Sequence, residues 1–393
     1  MARAAGAAPS RRALALFNAN ISAAAHPLTA YGWDDGFAES FTPFAGQGFV
    51  PGRIVRVDRG RVDAVVAEGD GVRTALADTA LVATSDPMRV PCTGDWAVID
   101  VENGRVGDHL DGVVRALLPR RTAMVRSTSS KRSEGQILAA NVDHAVIAVS
   151  LAEALDLGRI ERFVSLGWES GAQPVVVLTK SDLVADPAGL GHLVADVADA
   201  APGVQVLAVS AAAGEGVEVL AAVVAGGTSV LLGRSGAGKS TLANALVGAD
   251  VQDVRAIRDR DGKGRHTTTT RDLLVLPGGG VLIDTPGLRG VGMWDAEEGL
   301  ARTFSDVEAL AERCRFADCA HGAEPGCAVM EAVDSGALSP RRLESYRKLQ
   351  RENLRIVAKT DARARAVLRR DWKQKQALGR HMMERKRGGG GGE

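Results

Sequence analysis

The run Gly233-Arg234-Ser235-Gly236-Ala237-Gly238-Lys239-Ser240 places three glycines, a lysine and a hydroxyl at a spacing that can cradle phosphate. Glycines let backbone N–H groups turn inward on anionic oxygens. Lys239 can reach the β and γ oxygens of a nucleoside triphosphate, and the Ser240 hydroxyl can ligate Mg²⁺. Thr241 is grouped with these residues as a nucleotide contact. The flanks supply the context such a loop requires: Thr228 to Leu232 reads as a short apolar strand and Ser240 to Val247 as the helix that follows. A glycine-rich turn that binds nothing is the bland alternative, and a full eight-residue match between strand and helix weighs against it.

A second set of residues can read a base. After the apolar run Val175 to Leu178 comes Thr179-Lys180-Ser181-Asp182. The Asp182 carboxylate can accept the N1 and N2 protons of guanine, a pattern adenine does not offer, and Lys180 can lie along the base. Asparagine usually opens this motif, so the amide that ties the loop together is missing here, and the Thr179 hydroxyl can take part of that role. The strand Val204 to Val209 runs into Ser210-Ala211-Ala212, suited to a short loop whose backbone approaches the guanine oxygen. Further on, Val281 to Ile283 ends in Asp284-Thr285-Pro286-Gly287, where Asp284 can hold Mg²⁺ through water and Gly287 can sense the γ-phosphate. Between loop and strand lies a charged segment with a threonine cluster, Thr267 to Thr270, which reads as a switch loop with Thr268 as the Mg²⁺ ligand.

These motifs are those of a Ras-like GTPase in an altered order, because the base-reading motif precedes the phosphate loop. A circular permutation keeps the three-dimensional site intact while opening the chain at a surface connection. The expected central unit is therefore a circularly permuted Ras-like α/β P-loop GTPase domain over residues 120–292.

At 393 residues and 45% hydrophobic content the chain can build two or three domains. No apolar run approaches the roughly eighteen residues of a membrane span, and the expectation is a cytoplasmic monomer. The first 33 residues contain three arginines and no acid, faintly like an organellar transit peptide, and are read as part of an N-terminal extension with little structure over 1–47. Short alternating runs such as Arg53 to Val57 and Trp96 to Asp100 suit a small OB-type β-barrel over 48–119, with a helix only at Leu76 to Leu81. Such barrels often bind RNA, although this one has few aromatics to show for it.

Three of the four cysteines, with a histidine, fall within fourteen residues: Cys314, Cys319, His321 and Cys327. Three thiolates and an imidazole make a closed tetrahedral zinc site of structural type, one ion per chain. Disulfides are the rival reading, and the clustering favours metal. Cys92 is a small buried hydrophobe. The zinc-binding segment is placed at 293–338 and a basic helical arm with a Gly-rich tail at 339–393. The formal charge is zero, yet from Ser339 to Arg387 there are 17 Lys and Arg against 5 Asp and Glu. A solvated helix surface explains such a run, while a polyanionic partner such as RNA fits it beside an acidic body.

From about Gly48 to Trp372 the chain resembles the ribosome small-subunit-dependent GTPases. The residues that carry the resemblance include Gln136, Ala140-Asn141-Val142-Asp143, Gly264-Arg265-His266-Thr267-Thr268 and Cys314 to His321, beside the permuted motifs. It implies an OB barrel, a permuted GTPase domain and a C-terminal α-helical zinc-binding domain. It also implies late maturation of the small ribosomal subunit, with contact to its rRNA and GTP hydrolysis stimulated by the subunit. Leu288 follows Gly287 where many relatives of Ras carry a water-orienting glutamine, so intrinsic turnover is expected near roughly 10⁻⁴ s⁻¹. The candidate catalytic group is then His266, with a surface histidine as the competing reading. Two other classes stand beside this one: an RNA-binding assembly module in which hydrolysis is incidental, and an ATP-using enzyme on the same loop, which Asp182 disfavours.

Overall fold

The computed structural model describes residues 26–101, 110–127, 135–249, 272–284, 296–322, 324–358, 361 and 366. His266 and Thr268, expected on a switch loop, Gly287, expected to sense the γ-phosphate, and almost all of the chain beyond 358 lie outside the described residues.

Structure begins earlier than the sequence suggested. A 3₁₀ turn at Pro27–Tyr31 leads into helix α1, Asp35–Ala45, whose N-cap Asp34 accepts from the Phe37 N–H at 3.0 Å. The i, i+4 spacing of Phe37 and Phe41 puts both on one buried face, Trp33 just ahead of the N-cap packs against them, and Trp33 meets Trp96 edge-on at 4.8 Å. Residues 26–47 of the expected extension thus form a structured cap.

Strands β1 (Val50–Asp58), β2 (Arg61–Glu68), β3 (Gly71–Asp78), β4 (Trp96–Asp100) and β5 (Gly112–Leu117) close a barrel in the order β1-β2-β3-β5-β4. Its interior holds Ile54, Val62, Ala64, Ala75, Ala77, Ile99 and Val114. The expected helix at Leu76 to Leu81 is replaced by the end of β3 and a 3₁₀ turn at Ala80–Val82. Pairing explains the difference: Ala75 and Ala77 face Ala64 and Val62 across the ladder, and a six-residue helix would not repay its nucleation cost.

A hairpin of β6 (Ala123–Ser127) and β7 (Gly135–Ala140) leads to a six-stranded sheet of β8 (His144–Ser150), β9 (Gln173–Thr179), β10 (Gln205–Val209), β11 (Thr228–Leu232), β12 (Asp272–Val275) and β13 (Val281–Asp284). The order is β10-β9-β8-β11-β13-β12, parallel except for β12 against β13. Helices α2 (Leu157–Glu169), α3 (Pro187–Ala200), α4 (Val217–Val224) and α5 (Lys239–Val247) accompany it. Covered strands read as continuous Val, Ile and Leu runs because both faces are buried.

The C-terminal part is helical: α6 (Glu297–Thr303), α7 (Ser305–Ala311), α8 (Ala328–Asp334) and α9 (Pro340–Val357). Leu343, Tyr346 and Leu349 of α9 share one core with Leu300, Phe304, Val307 and Val329. The start of the expected arm therefore belongs to the same unit as the cysteines. This unit is stitched to the GTPase sheet through α2 and α6, whose backbones cross so closely that a Cβ on Gly299 would lie 2.1 Å from the Ser165 carbonyl oxygen. Gly299→Ala should therefore lower stability by about 1–3 kcal/mol through overpacking. Thermal unfolding monitored by calorimetry checks this, and an unchanged transition would show that the helices can separate freely.

Candidate nucleotide site and metal centre

The phosphate loop leaves β11 at the carboxyl edge of the sheet, where open α/β sheets bind ligands. Gly233 has φ +135° and no room for a Cβ, which would sit 2.4 Å from the Ala148 carbonyl oxygen. Gly236 and Gly238 also have positive φ, and Gly238 caps the start of α5, where Lys239, Ser240 and Thr241 form the first turn. The Lys239 ammonium donates to the carbonyls of Gly233 at 2.8 Å and Arg234 at 2.6 Å, so its charge is held over the concave side of its own loop. Arg234 pairs with Glu153 at 2.8 Å, and Ser235 lines a cavity of about 50 Å³ between the loop and the first turns of α2.

The base-reading motif comes from β9, two strands away in the sheet and more than fifty residues earlier in the chain. Thr179 is paired with Ser150 of β8 and Val209 of β10, which puts residues 179–182 and 210–211 on the same edge as the phosphate loop. The Thr179 hydroxyl donates to the Ala237 carbonyl at 2.8 Å, a direct tie between the two motifs. Lys180, in the left-handed region at φ +59°, extends its ammonium to the Gly236 carbonyl at 3.1 Å. Ser181 is buried, and Asp182 accepts from the Ser210 hydroxyl at 2.5 Å. Reciprocal backbone bonds between Ser210 and Glu215 close the loop that carries Ala211. Asp284 ends β13, one residue beyond the Val230–Ile283 pair, and so lies beside the exit of the phosphate loop.

The Ala140 to Asp143 run carries the family resemblance without a role legible in the sequence, and Arg53 carries no motif at all. Asn141, at φ +54°, accepts from the Arg121 N–H at 2.9 Å and donates its amide to the Gly94 carbonyl at 3.0 Å. Asp143 accepts from the Thr228 N–H at 2.7 Å at the foot of β11. The Ala140 to Asp143 run therefore joins barrel, hairpin and sheet. Arg53 reaches the same joint from the barrel: it is 1% exposed, donates to the Thr228 hydroxyl at 3.0 Å and lies over Trp96. Burial pulls its guanidinium down to about 10, still protonated near neutrality.

The cysteine cluster forms a compact centre. Cys314 follows α7, Cys327 caps α8 and accepts from the Met330 N–H at 3.4 Å, and Cys319 and His321 lie on the loop between. The four ligand atoms all lie within 4.8 Å of one another. Cys314 Sγ is 3.8 Å from Cys327 Sγ, and His321 Nδ1 is 3.6 and 3.7 Å from those two sulfurs. Sulfur ligands about 2.3 Å from a central ion stand roughly 3.8 Å apart in a tetrahedron, so these edges fit a four-coordinate metal and are far too long for a disulfide. Burial, and then the positive Arg347, hold the His321 imidazole below its ordinary value, which favours the neutral ligand form.

A closed barrel, a sheet whose phosphate loop follows its base motif in sequence yet adjoins it in space, and a helical Cys₃His unit define a circularly permuted GTPase of three parts. A family profile described as RsgA GTPase matches residues 117–294. A Streptomyces coelicolor protein named small ribosomal subunit biogenesis GTPase RsgA is 66% identical over 362 residues, covering 92% of this chain and 96% of its own. The crystal structure of YjeQ from Thermotoga maritima aligns with a TM-score of 0.57 at 26% identity, over 78% of this chain and 99% of that one. YloQ, described as a circularly permuted GTPase, shares the fold with the same TM-score at 22% identity, over 78% of this chain and 95% of its own. This chain belongs to the RsgA GTPase family.

The geometry around Asp182 gives a direct test of base reading. Asp182→Asn should weaken GTP and favour xanthosine triphosphate, because the new amide donates where guanine also donates and xanthine accepts. Competition binding with both nucleotides measures it, and an unchanged preference would count against Asp182 as the base reader.

Proposed function

We propose that this chain binds the small ribosomal subunit through its rRNA, acts late in the subunit's maturation, and hydrolyses GTP to GDP and phosphate with stimulation by the subunit. The observation that carries the reading is the hydroxyl tie from Thr179 to Ala237, which joins a guanine-reading motif to a phosphate loop in a chain closely similar to proteins named for small-subunit biogenesis. In hydrolysis a water oxygen attacks the γ-phosphorus, the bond to the β–γ bridging oxygen breaks, and GDP takes that electron pair. Lys239 and backbone N–H groups of the loop Gly233 to Ser240 would stabilise the charge that builds on these oxygens. Ser240, Asp284 and Thr268 are the residues that would hold Mg²⁺, which when bound spreads the phosphate charge. Ser240 in the first turn of α5 and Asp284 at the adjoining strand end are suited to it.

Leu288 offers no group to orient the attacking water, so His266 is proposed for that role in the subunit-bound protein. His266→Ala should leave GTP affinity near wild type and lower subunit-stimulated kcat by about tenfold or more. Rates at saturating GTP, with and without purified small subunits, decide the matter. Full stimulation in the variant makes His266 a bystander. Nucleotide-dependent subunit binding by the wild type without stimulated turnover would instead favour an assembly module in which hydrolysis is incidental.

Zinc is the ion proposed for Cys314, Cys319, His321 and Cys327, with a structural role because protein atoms fill all four positions. Elemental analysis should find one equivalent per chain. Zinc retained in a Cys319→Ser/Cys327→Ser double variant would remove the assignment. Chelation should loosen the C-terminal helices before it affects GTP binding.

A further inference from the structure

The most heavily bonded charges among the described residues lie outside the nucleotide site. Glu161 of α2 is fully buried, and its carboxylate accepts from Arg342 at 2.8 Å, from Arg341 at 3.1 Å and from the Ser345 hydroxyl. Arg342, 3% exposed, uses all five of its N–H donors: two on Asp306, one on Glu161, and one each on the carbonyls of Ala200 and Thr303. Its guanidinium also lies 4.3 Å from the centre of the Phe304 ring. One side chain of α9 thereby ties α2, the end of α3, the end of α6 and the start of α7.

Stability alone does not account for this arrangement. Well-packed apolar groups of equal volume often match or exceed a buried ion pair in stability, whereas a fully satisfied charge network fixes one geometry. The fixed geometry concerns α2. Four of its residues bond the C-terminal helices: Glu161 as above, Arg162 to Glu352 through two N–H donors, Ser165 to Thr303 at 3.0 Å, and Glu169 to the Gly299 N–H at 2.8 Å. The same helix turns Arg159, Ile160 and Phe163 toward the cavity whose other wall is Arg234 to Ala237 of the phosphate loop. A single turn, residues 159–163, thus faces the nucleotide loop across one cavity and is bonded to the metal-bearing unit.

We infer that Glu161 and Arg342 are positioning residues that make α2 move with the C-terminal unit, so that docking of that unit on a partner is felt at the phosphate loop. The inference rests on the proposed function, since the partner whose docking is transmitted is the small ribosomal subunit. A helix bonded to one body and sharing a cavity wall with the loop of another can carry a displacement of the first to the second, without any residue that contacts nucleotide being altered.

The test is Glu161→Gln in the full chain, which keeps the shape and removes the charge. Zinc content, GTP affinity and intrinsic turnover should stay within about twofold of wild type, while turnover at saturating small subunits falls about fivefold or more. Glu161→Asp, which keeps the charge, should recover part of the stimulation. A Glu161→Gln protein that is folded, zinc-loaded and fully stimulated overturns the inference. If that variant melts early or loses zinc, Ser345→Ala, which deletes one hydrogen bond to the same carboxylate, takes its place: a loss of stimulation of about twofold supports the coupling and full stimulation overturns it. Absence of stimulation in the unaltered protein removes the function reading itself, and this inference with it, and is distinguished by the wild-type control alone.

Discussion

The nucleotide site depends on parallel pairing at the centre of the sheet. β8 lies between β9 and β11, so Thr179 at the end of β9 and Gly233 after β11 both open onto one edge although β11 follows β9 by about fifty residues. Parallel ladders align carboxyl ends regardless of chain order, which is why a permuted connectivity leaves the chemistry unharmed. The Thr179 hydroxyl on the Ala237 carbonyl then converts neighbourhood into contact. A threonine can do this because its hydroxyl is short; Gly238 beside it serves its positive φ of +80°, since a Cβ there would meet the Thr179 hydroxyl at an ordinary 3.5 Å.

Two buried arginines attach the outer units to this sheet at different places. Arg53 enters from the barrel at the foot of β11, where Asp143 also accepts the Thr228 N–H. Arg342 enters from the C-terminal helices at α2 and the end of α3. The first joint holds the amino-terminal end of the strand that carries the phosphate loop, and the second holds the helix that flanks the loop itself. Each arginine is nearly inaccessible, so each joint excludes water and is strongly directional, unlike an exposed ion pair such as Arg234 with Glu153.

What could be read in the sequence was whatever has a local signature. The phosphate loop, the base motif, the barrel strands and the Cys₃His spacing depend on neighbours a few residues away, and the structure brings each set together. The helix expected at Leu76 to Leu81 was lost because cross-strand pairing with Ala64 and Val62, invisible in a linear pattern, outweighed a weak helical one. Residues 26–47 read as an extension with little structure because Trp33 and Phe37 find their partner in Trp96, some sixty residues on, with Phe41 packed behind Trp33. Joints such as Glu161 with Arg342 leave no trace at all: an acid and a base 181 positions apart look like two surface charges until the fold buries them.

That last point changes how the charge of the C-terminal segment should be weighed. Seventeen bases against five acids between Ser339 and Arg387 suggest a uniform polyanion-binding arm. On α9, however, Arg342 and Arg341 are committed to Glu161 and Asp306, and Arg347 donates to the His321 carbonyl beside the metal centre. Lys348, Arg351 and Arg355 are exposed at spacings of three and four, on one stripe with the exposed Glu344 and opposite the buried Leu343, Tyr346 and Leu349. Within the described helix the bases thus divide by commitment: Arg342, with Arg341 beside it, fixes the domain to α2, while Lys348, Arg351 and Arg355 face solvent, where an anionic partner can meet them.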